Sequence, residues 1–267
     1  MLFLGLLTKM GDFYVLLSSD VKTEDYPKNT ISKFTTPLPE NIKIGSNYEV
    51  GLCSFFYEHD WDNLFWPLTI IVFKKIVTSS SENEGSNKTY VVYLPDGYYK
   101  SVEEFCLKVN SLKPEFFSGK LETDKVSGKV VIRLEKGESI IFNEKLSGLL
   151  GFDRNEFDYD DTLGEISSRR TPNLDGALKT LFIYSNLVEY SIVGNTLVPL
   201  LREVKIDGQG GDHVEKSWAI PHYIPLISSN FKTIEIDIRD ELGDSMKFNA
   251  GHVLVKLHFR KRKRDIF

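Results

Sequence analysis

The alternation of apolar and polar side chains in two segments near the end of the chain constrains the fold most strongly. In residues 231–239 isoleucines alternate with charged residues, and in residues 252–260 valine, leucine and phenylalanine alternate with mostly polar side chains. This period of two is typical of a β-strand that buries one face. The connection between the segments contains Gly243 and Gly251, which predicts that the two strands pair as antiparallel neighbours.

Strand-like segments fill most of the chain, and no helical segments separate them outside one central region. About eight strands joined by irregular connections with proline and glycine predict an antiparallel β-sandwich or barrel. We expect a mainly β jelly-roll sandwich, because the strands are numerous and the connections are long. An immunoglobulin-like sandwich is the alternative, but such domains have fewer residues and a Cys/Trp/Cys core that this sequence lacks. The other strands predicted outside the central region are 13–18, 32–36, 48–57, 68–77, 180–186 and 201–206.

The helical signals are concentrated in the middle of the chain. Ser101 and Glu104 have the spacing of a capping box, apolar residues follow at helical spacing, and Pro114 ends the segment. Two further strands lead to a short second helix, for which Asn143 is the predicted N-cap and Gly151 the predicted stop. This order of elements predicts a small α+β insertion.

The insertion divides the predicted jelly roll into two parts. A polar stretch at 78–88 has no apolar periodicity and is typical of an exposed loop. In chain order the predicted parts are the first part of the jelly roll (12–80), the α+β insertion (88–160), the second part of the jelly roll (170–260) and a basic tail (261–267).

The composition is that of an ordinary globular protein. Of the 267 residues, 41% are hydrophobic and 27% are charged, and the net charge is −5. These values exclude wholesale disorder, a membrane-embedded protein and a chain that coats DNA along its whole length. The apolar run 2–7 is too short to span a bilayer and has no basic residues before it, so we expect neither a signal peptide nor a membrane anchor.

The residues that usually carry chemistry form no recognisable catalytic or metal motif. Cys53 and Cys106 lie in apolar patterns and are predicted to be small core residues. His252 and His258 share a face of one strand but are about 20 Å apart by strand rise, too far to hold one metal ion. The loop 208–211 is rich in glycine, but no helical pattern follows it, so it predicts a hairpin loop rather than a phosphate site. We therefore expect a protein that is not an enzyme, without a cofactor and without a metal.

Five consecutive basic residues follow the last strand, in contrast to the acidic balance of the whole chain. Such a run is typical of a nuclear-import signal or of a tail that contacts nucleic acid. A solvated tail that aids solubility is the alternative. This segment, called the basic run below, consists of Arg260, Lys261, Arg262, Lys263 and Arg264.

Several segments, taken in order, resemble one known family. The similarity extends over 13–260, and each segment is short, so the order and spacing carry the resemblance. The segments are FYVLLSSD (13–20), YPKNT (26–30), YEVGL (48–52), Trp61, LPDGYY (94–99), LLGF (149–152), LFIYSNLV (181–188), VPLLR (198–202), PHYIP (221–225) and LHFR (257–260). They are similar to the minor capsid (penton) protein of Maverick/Polinton elements and related adintoviruses, which are virus-like DNA transposons of animal genomes.

The sequence departs from the family pattern at a few positions. Asn186 and Asn195 stand where the family usually has Asp, and Tyr190 stands where Pro is usual. Residues 1–10 precede the usual start of the family, which makes Met10 the expected initiator.

The resemblance implies a jelly-roll protein that forms homopentamers at the five-fold vertices of an icosahedral particle. Its neighbours there would be double-jelly-roll major capsid proteins. The charge of the basic run adds packaged DNA as an expected partner. The implied location is the virion, after a period in the nucleus or cytoplasm of the host cell, with the α+β insertion facing outward. The family supplies no catalytic residues. A lectin-like jelly-roll module, binding sugars near Tyr98 and Tyr99, is the alternative.

Overall fold

A computed structural model describes residues 11–21, 24–77, 86–162, 164–176 and 178–262. The chain divides into two compact units. The jelly-roll unit comprises Met1–Trp61 and Ala177–Phe267, and the inserted unit comprises Asp62–Gly176.

The elements are mainly strands. In chain order they are β1 (Phe13–Ser18), β2 (Lys33–Lys43), β3 (Tyr48–Glu58), β4 (Ile70–Val77), β5 (Ser86–Tyr93), α1 (Val102–Leu112), β6 (Lys120–Thr123), β7 (Val130–Arg133), β8 (Glu138–Phe142), α2 (Glu144–Leu149), β9 (Glu156–Asp158), β10 (Ile166–Ser167), β11 (Thr180–Ser185), β12 (Ser191–Val193), β13 (Thr196–Val198), β14 (Leu200–Lys205), β15 (His213–Ser217), β16 (Tyr223–Pro225), β17 (Asn230–Arg239) and β18 (Val253–Lys261).

The jelly-roll unit contains two larger antiparallel sheets and a separate hairpin. One sheet has the order β1-β18-β3-β15, with β16 also paired to β3, and the other has the order β14-β11-β17-β2. The inward faces of both sheets contribute to one hydrophobic core, which includes Ile236 of β17 and Val255 of β18, each with no exposed surface. The predicted fold class, a mainly β jelly-roll sandwich with a small α+β insertion, is confirmed.

The predicted pairing of the last two strands is wrong, although both strands exist. β17 pairs with β11 and β2, whereas β18 pairs with β1 and β3. Alternation shows which face of a strand is buried, and both strands bury one face in the same core. It does not show whether two strands are neighbours in one sheet or lie in different sheets, and here the connection passes from one sheet to the other.

The inserted unit has its own sheets, helices and core. Its sheets have the orders β5-β4-β8-β9 and β10-β7-β6. Helix α1 begins as predicted, because the hydroxyl of Ser101 accepts the N–H of Glu104 at 3.1 Å. The Glu104 carboxylate accepts the N–H of Lys100 at 2.8 Å, one residue before the usual partner in a capping box.

The inserted unit extends beyond the predicted limits of 88 and 160 at both ends. The segment 68–77 was expected in the first part of the jelly roll, but β4 pairs with β5 and β8 of the inserted unit. An apolar strand has the same pattern in either unit, and the polar stretch after it resembles a linker. In the structure that stretch joins two paired strands, and residues 78–85 lie outside the described part of the chain.

The two cysteines differ in their surroundings. Cys106 on α1 is buried as predicted, and burial raises the pKa of its thiol to about 11. Cys53 on β3 is half-buried, so the prediction of a core residue is wrong there. Its side chain points away from the core, because the strand's alternation places Leu52 inside.

Neither described helix is suited to cross a membrane. Helix α1 has 11 residues and α2 has 6, and within the described ranges no helix has the length and apolar character that a span requires.

Candidate functional site

A short hairpin in the jelly-roll unit exposes apolar side chains to solvent. Strands β12 and β13 pair with each other, and Ile192 lies directly opposite Leu197. Ile192 is 77% exposed, Leu197 is 61% exposed, and Tyr190 just before the hairpin is 59% exposed. Exposed apolar groups that lie together mark a contact surface more often than isolated ones do. We call this segment, Tyr190–Val198, the apolar hairpin.

The turn of the apolar hairpin follows from its two central residues. Gly194 has a φ of +61°, and Asn195 follows it between the paired residues Val193 and Thr196. Glycine adopts a positive φ without steric strain and is favoured at the first central position of a two-residue hairpin turn. An isolated two-stranded hairpin is only marginally stable in water, so a partner that covers the two apolar side chains would also stabilise the strands.

A groove of about 660 Å³ lies beside the apolar hairpin, on the outer face of the sheet that contains β17. The outer side chains of β17 line it, since the alternating isoleucines of this strand are buried in the core. Most of its charged groups are carboxylates. We call it the acidic groove, and its charged lining residues are Glu235, Asp237, Arg239, Asp240 and Glu241.

Asp237 and Arg239 form a short ion pair in the acidic groove. Nη2 and Nε of Arg239 donate to Oδ2 of Asp237 at 2.8 and 3.1 Å. This hydrogen bond raises the pKa of the guanidinium above its ordinary value. Oδ1 of Asp237 is buried and accepts no hydrogen bond from the residues that the structure describes.

A third exposed feature is the aromatic face of the edge strand β1. Tyr14 is 60% exposed, and its ring stacks on His258 of β18 with 4.4 Å between ring centroids. The hydroxyl of Tyr223 and Nδ1 of His258 share a hydrogen bond of 2.7 Å. Leu16, the next outward residue on β1, is 64% exposed. Among the strands that the structure describes, β1 has only β18 as a neighbour, so its outer edge combines backbone groups outside the described ladder with large side chains, a combination that favours contact with another chain.

The solved structures that share this fold include a viral protein. No protein-family model matches the sequence, and no curated protein matches it. The crystal structure of the selenomethionine-labelled mavirus penton protein matches with a TM-score of 0.53 and 14% sequence identity, covering 95% of this chain and 100% of that chain. The chain has a penton-like fold. The match extends over nearly the whole sequence, so it includes both the jelly-roll unit and the inserted unit.

In this penton-like fold the basic run is partly an ordered strand rather than a free tail. Arg260 and Lys261 belong to β18, and the N–H of Arg262 donates to the carbonyl of Asn47 at 2.7 Å. The predicted boundary between jelly roll and tail therefore falls inside β18 and its continuation. Lys263 and Arg264 lie outside the described residues.

Two side chains of the basic run, those of Arg260 and Arg262, have partners within the jelly-roll unit. Nε of Arg260 lies 2.6 Å from a carboxylate oxygen of Glu49, and the guanidinium carbon lies 3.4 Å from the ring centroid of Tyr223. Arg262 lies 3.7 Å from Glu189. The nuclear-import and nucleic-acid interpretations of the run stay predictions.

Four of the five histidines, all except His222, have aromatic rings as neighbours. Phe56 lies between His213 and His252, at centroid distances of 6.0 and 5.1 Å. His252 also lies 3.0 Å from Glu58. In the described ranges, no group of three or more histidine, cysteine or acidic side chains is placed to hold a metal ion.

The glycine-rich loop 208–211 is not a hairpin loop, so that prediction is wrong. It connects β14, which pairs with β11, to β15, which pairs with β3. The loop therefore passes between sheets. The strand that follows it agrees with the expectation that no helix begins there.

A groove of about 510 Å³ lies at the site expected for a sugar-binding module, and Tyr98 and Tyr99 both line it. Tyr99 is 8% exposed, and its hydroxyl donates to the carbonyl of Pro95 at 2.9 Å. Its backbone N–H donates to the side-chain oxygen of Asn63 at 2.8 Å. Tyr99 therefore mainly stabilises the loop before α1, whereas the partly exposed Tyr98 presents more of its surface to the groove.

The apolar hairpin was not predicted from the sequence. Its signal was present, because Gly194-Asn195 is a turn dipeptide between two short runs of strand-forming residues. The runs are three residues each and have no buried face, so alternation over a longer window did not detect them. Exposure, which identifies the hairpin as a contact surface, is a property of the folded chain.

Proposed function

We propose that this protein is a minor capsid (penton) protein that forms homopentamers at the five-fold vertices of a virus-like particle. The observation that carries the proposal is the penton-like fold, matched over 95% of the chain. The ordered family segments support the finer assignment to Maverick/Polinton elements and adintoviruses. On this proposal the role is structural, the location is the virion, and double-jelly-roll major capsid proteins surround the pentamer.

The apolar hairpin is the best candidate for the contact between copies. A five-fold ring repeats one heterologous contact, in which two different surfaces of the chain meet. The centre of such a contact is apolar and excludes water. Ile192 and Leu197 are exposed on adjacent strands and opposite each other, so a neighbouring copy would bury both at once.

The test is the mass of the purified protein in solution. We expect light scattering after size-exclusion chromatography to give five times the chain mass of 30.6 kDa. The double variant Ile192→Asp, Leu197→Asp should be monomeric, because burying two carboxylates in the contact without partners is unfavourable. Its circular dichroism should match the wild type, since both residues are outside the core.

Val126→Asp is the matched control for this experiment. Val126 is 96% exposed in the inserted unit and should not affect the mass. A wild-type protein that stays monomeric at every concentration, also in the presence of the major capsid protein, would contradict the pentamer. A hairpin variant that still forms pentamers would exclude the apolar hairpin as the contact.

A further inference from the structure

The acidic groove and the basic run have opposite charges. Four carboxylates and one guanidinium line the groove, whereas the run contains five consecutive cations. Lys33 lies 3.7 Å from Glu235 and 3.8 Å from Asp237. Even with this lysine included, the carboxylates at the groove outnumber the cations. Complementary patches of this kind fix the register of a contact and speed the encounter of two proteins.

The acidic groove contains an acceptor whose hydrogen-bonding capacity is unused. Asp237 is 7% exposed, and its side chain lies on the same outer face of β17 as Glu235 and Arg239. Oδ2 receives both hydrogen bonds from Arg239, while Oδ1 has no partner in the described part of the chain. A buried carboxylate oxygen without a donor is unfavourable. Because Oδ1 has almost no accessible surface, an arginine or lysine from outside would bond to it after the Asp237 side chain turns toward the groove.

The first two residues of the basic run, Arg260 and Lys261, belong to the strand β18. Lys261 is exposed, and its backbone pairs with Tyr48 of β3. Arg260 and Arg262 are oriented by Glu49 and Glu189. Ordering of these three residues before binding reduces the entropy lost on association.

We propose that the basic run of one copy binds in the acidic groove of a neighbouring copy. The inference rests on the homopentamer proposed above, and it names the two different surfaces that a heterologous contact requires. The apolar hairpin lies beside the groove, since Tyr190 and Val193–Thr196 also line it. Ile192 and Leu197 are absent from the groove lining and alternate with Val193 and Thr196, so the apolar contact and the charged contact use opposite faces of the same hairpin.

Charge reversal tests this contact in the intact protein. The groove variant Glu235→Lys, Glu241→Lys and the run variant Lys261→Glu, Lys263→Glu should each weaken the pentamer at least about ten-fold. Combining all four substitutions should restore most of the wild-type stability. A pentamer that withstands either reversal unchanged would overturn the inference.

Mixing the two reversed variants separates a contact between copies from one within a copy. In the mixture, the wild-type run of one variant meets the wild-type groove of the other, so pentamers should re-form. Recovery should be incomplete, because an odd-numbered ring places two like copies side by side at least once. Two variants that stay dissociated after mixing, while the combined variant assembles, would show a contact within one copy and refute the proposal.

A peptide measurement separates this inference from the proposed function. The receptor is the monomeric hairpin variant, or the wild type if that is monomeric, and the probe is a labelled peptide of residues 259–267. We expect saturable binding that weakens about ten-fold in Asp237→Asn and is unchanged in Glu156→Gln of the inserted unit.

Binding of the peptide by a protein that never forms pentamers would support the contact between run and groove and contradict the pentameric ring. No binding, or equal binding by Asp237→Asn, would refute the contact, and capture of the run by duplex DNA instead would support the nucleic-acid interpretation.

Discussion

Glu138 is the most deeply buried acidic side chain among the described residues, with 1% of its surface exposed. Its carboxylate accepts the backbone N–H groups of Ser118, Gly119 and Glu135 at 2.6, 2.9 and 3.0 Å. Nζ of Lys75 lies 2.9 Å from Oε1 of the same carboxylate and is its fourth donor. Burial by itself raises the pKa of a carboxyl group, but these four donors hold the pKa of Glu138 below its ordinary value.

Glu138→Gln should destabilise the inserted unit by about 2–3 kcal/mol. The amide replaces one accepting oxygen with a donor, so at least one buried N–H loses its partner. Urea unfolding monitored by circular dichroism measures the change. Glu156→Gln is the control, because Glu156 is half-exposed and pairs with Lys74 on the surface, where the loss should stay below about 1 kcal/mol.

Acid should weaken the wild type through the same residue. A carboxyl group whose folded pKa is depressed contributes its full stability above its unfolded pKa of 4.5. That contribution is lost as the pH falls through the lower, folded value. The difference in unfolding free energy between wild type and Glu138→Gln should therefore be constant near neutral pH and shrink below pH 4.5. A difference that grows on acidification would contradict the assignment.

Gly148 in helix α2 and Gly151 in the turn after it differ in whether a residue with a side chain could replace them. Gly151, after the helix, has a φ of +88°, and a Cβ there would overlap the carbonyl oxygen of Arg170. Gly148, inside the helix, has open space within 4 Å of the position that a Cβ would occupy. The glycine at 151 is required by the backbone, whereas the glycine at 148 only weakens the helix.

Gly151→Ala should lower the free energy of unfolding by at least about 1–3 kcal/mol, since the backbone must leave its conformation or Arg170 must move. Gly148→Ala should raise it by about 0.5–1 kcal/mol. Thermal unfolding of the two variants beside the wild type gives both values. Equal effects of the two substitutions would mean that the positive φ is not what Gly151 provides.

Single elements were predictable where the signal is local. The cap at Ser101, the alternation in β17 and β18 and the outward position of Asp237 all depend on neighbours within a few residues. β17 pairs with β2 and β18 pairs with β3, although the paired segments are about 200 residues apart in the chain. The alternation within one strand does not show which distant strand it pairs with. The membership of β4 in the inserted unit was missed for the same reason.

Of the surfaces proposed for contact, only the positive charges of the basic run were predicted from the sequence. The basic run is visible in the sequence, but its first residues continue β18 because Tyr48 and Asn47 supply backbone partners. The apolar hairpin differs from a buried hairpin in exposure, which depends on what the rest of the fold leaves uncovered. The acidic groove forms where two strands and a hairpin meet.

At the scale of the whole molecule, each unit has a hydrophobic core formed by its own residues. Phe259 of β18 is fully buried in the core of the jelly-roll unit, where it stacks on Phe13. Phe142 of β8 is 2% exposed in the core of the inserted unit. Separate cores of this size are typical of units that unfold as separate cooperative blocks.

Scanning calorimetry should therefore resolve two transitions. Phe259→Ala should lower the midpoint temperature of one transition by roughly 10–20 °C, because it leaves a cavity in the core of the jelly-roll unit. Phe142→Ala should lower the midpoint temperature of the other by a similar amount, because its cavity lies in the core of the inserted unit. Each variant serves as the control for the other. A single transition that both substitutions shift equally would contradict independent blocks.

The position of the inserted unit also dictates the order of events during synthesis. Strand β3 pairs with β15, β16 and β18, all of which are translated after the insertion. From the end of β3 to the start of β18 the ribosome adds about 195 residues, which takes roughly 10–40 s at about 5–20 residues per second. When translation has passed Gly176, the inserted unit has every residue of its own core, while β1, β2 and β3 still lack the later strands with which they pair. The insertion therefore folds before the domain that surrounds it is complete.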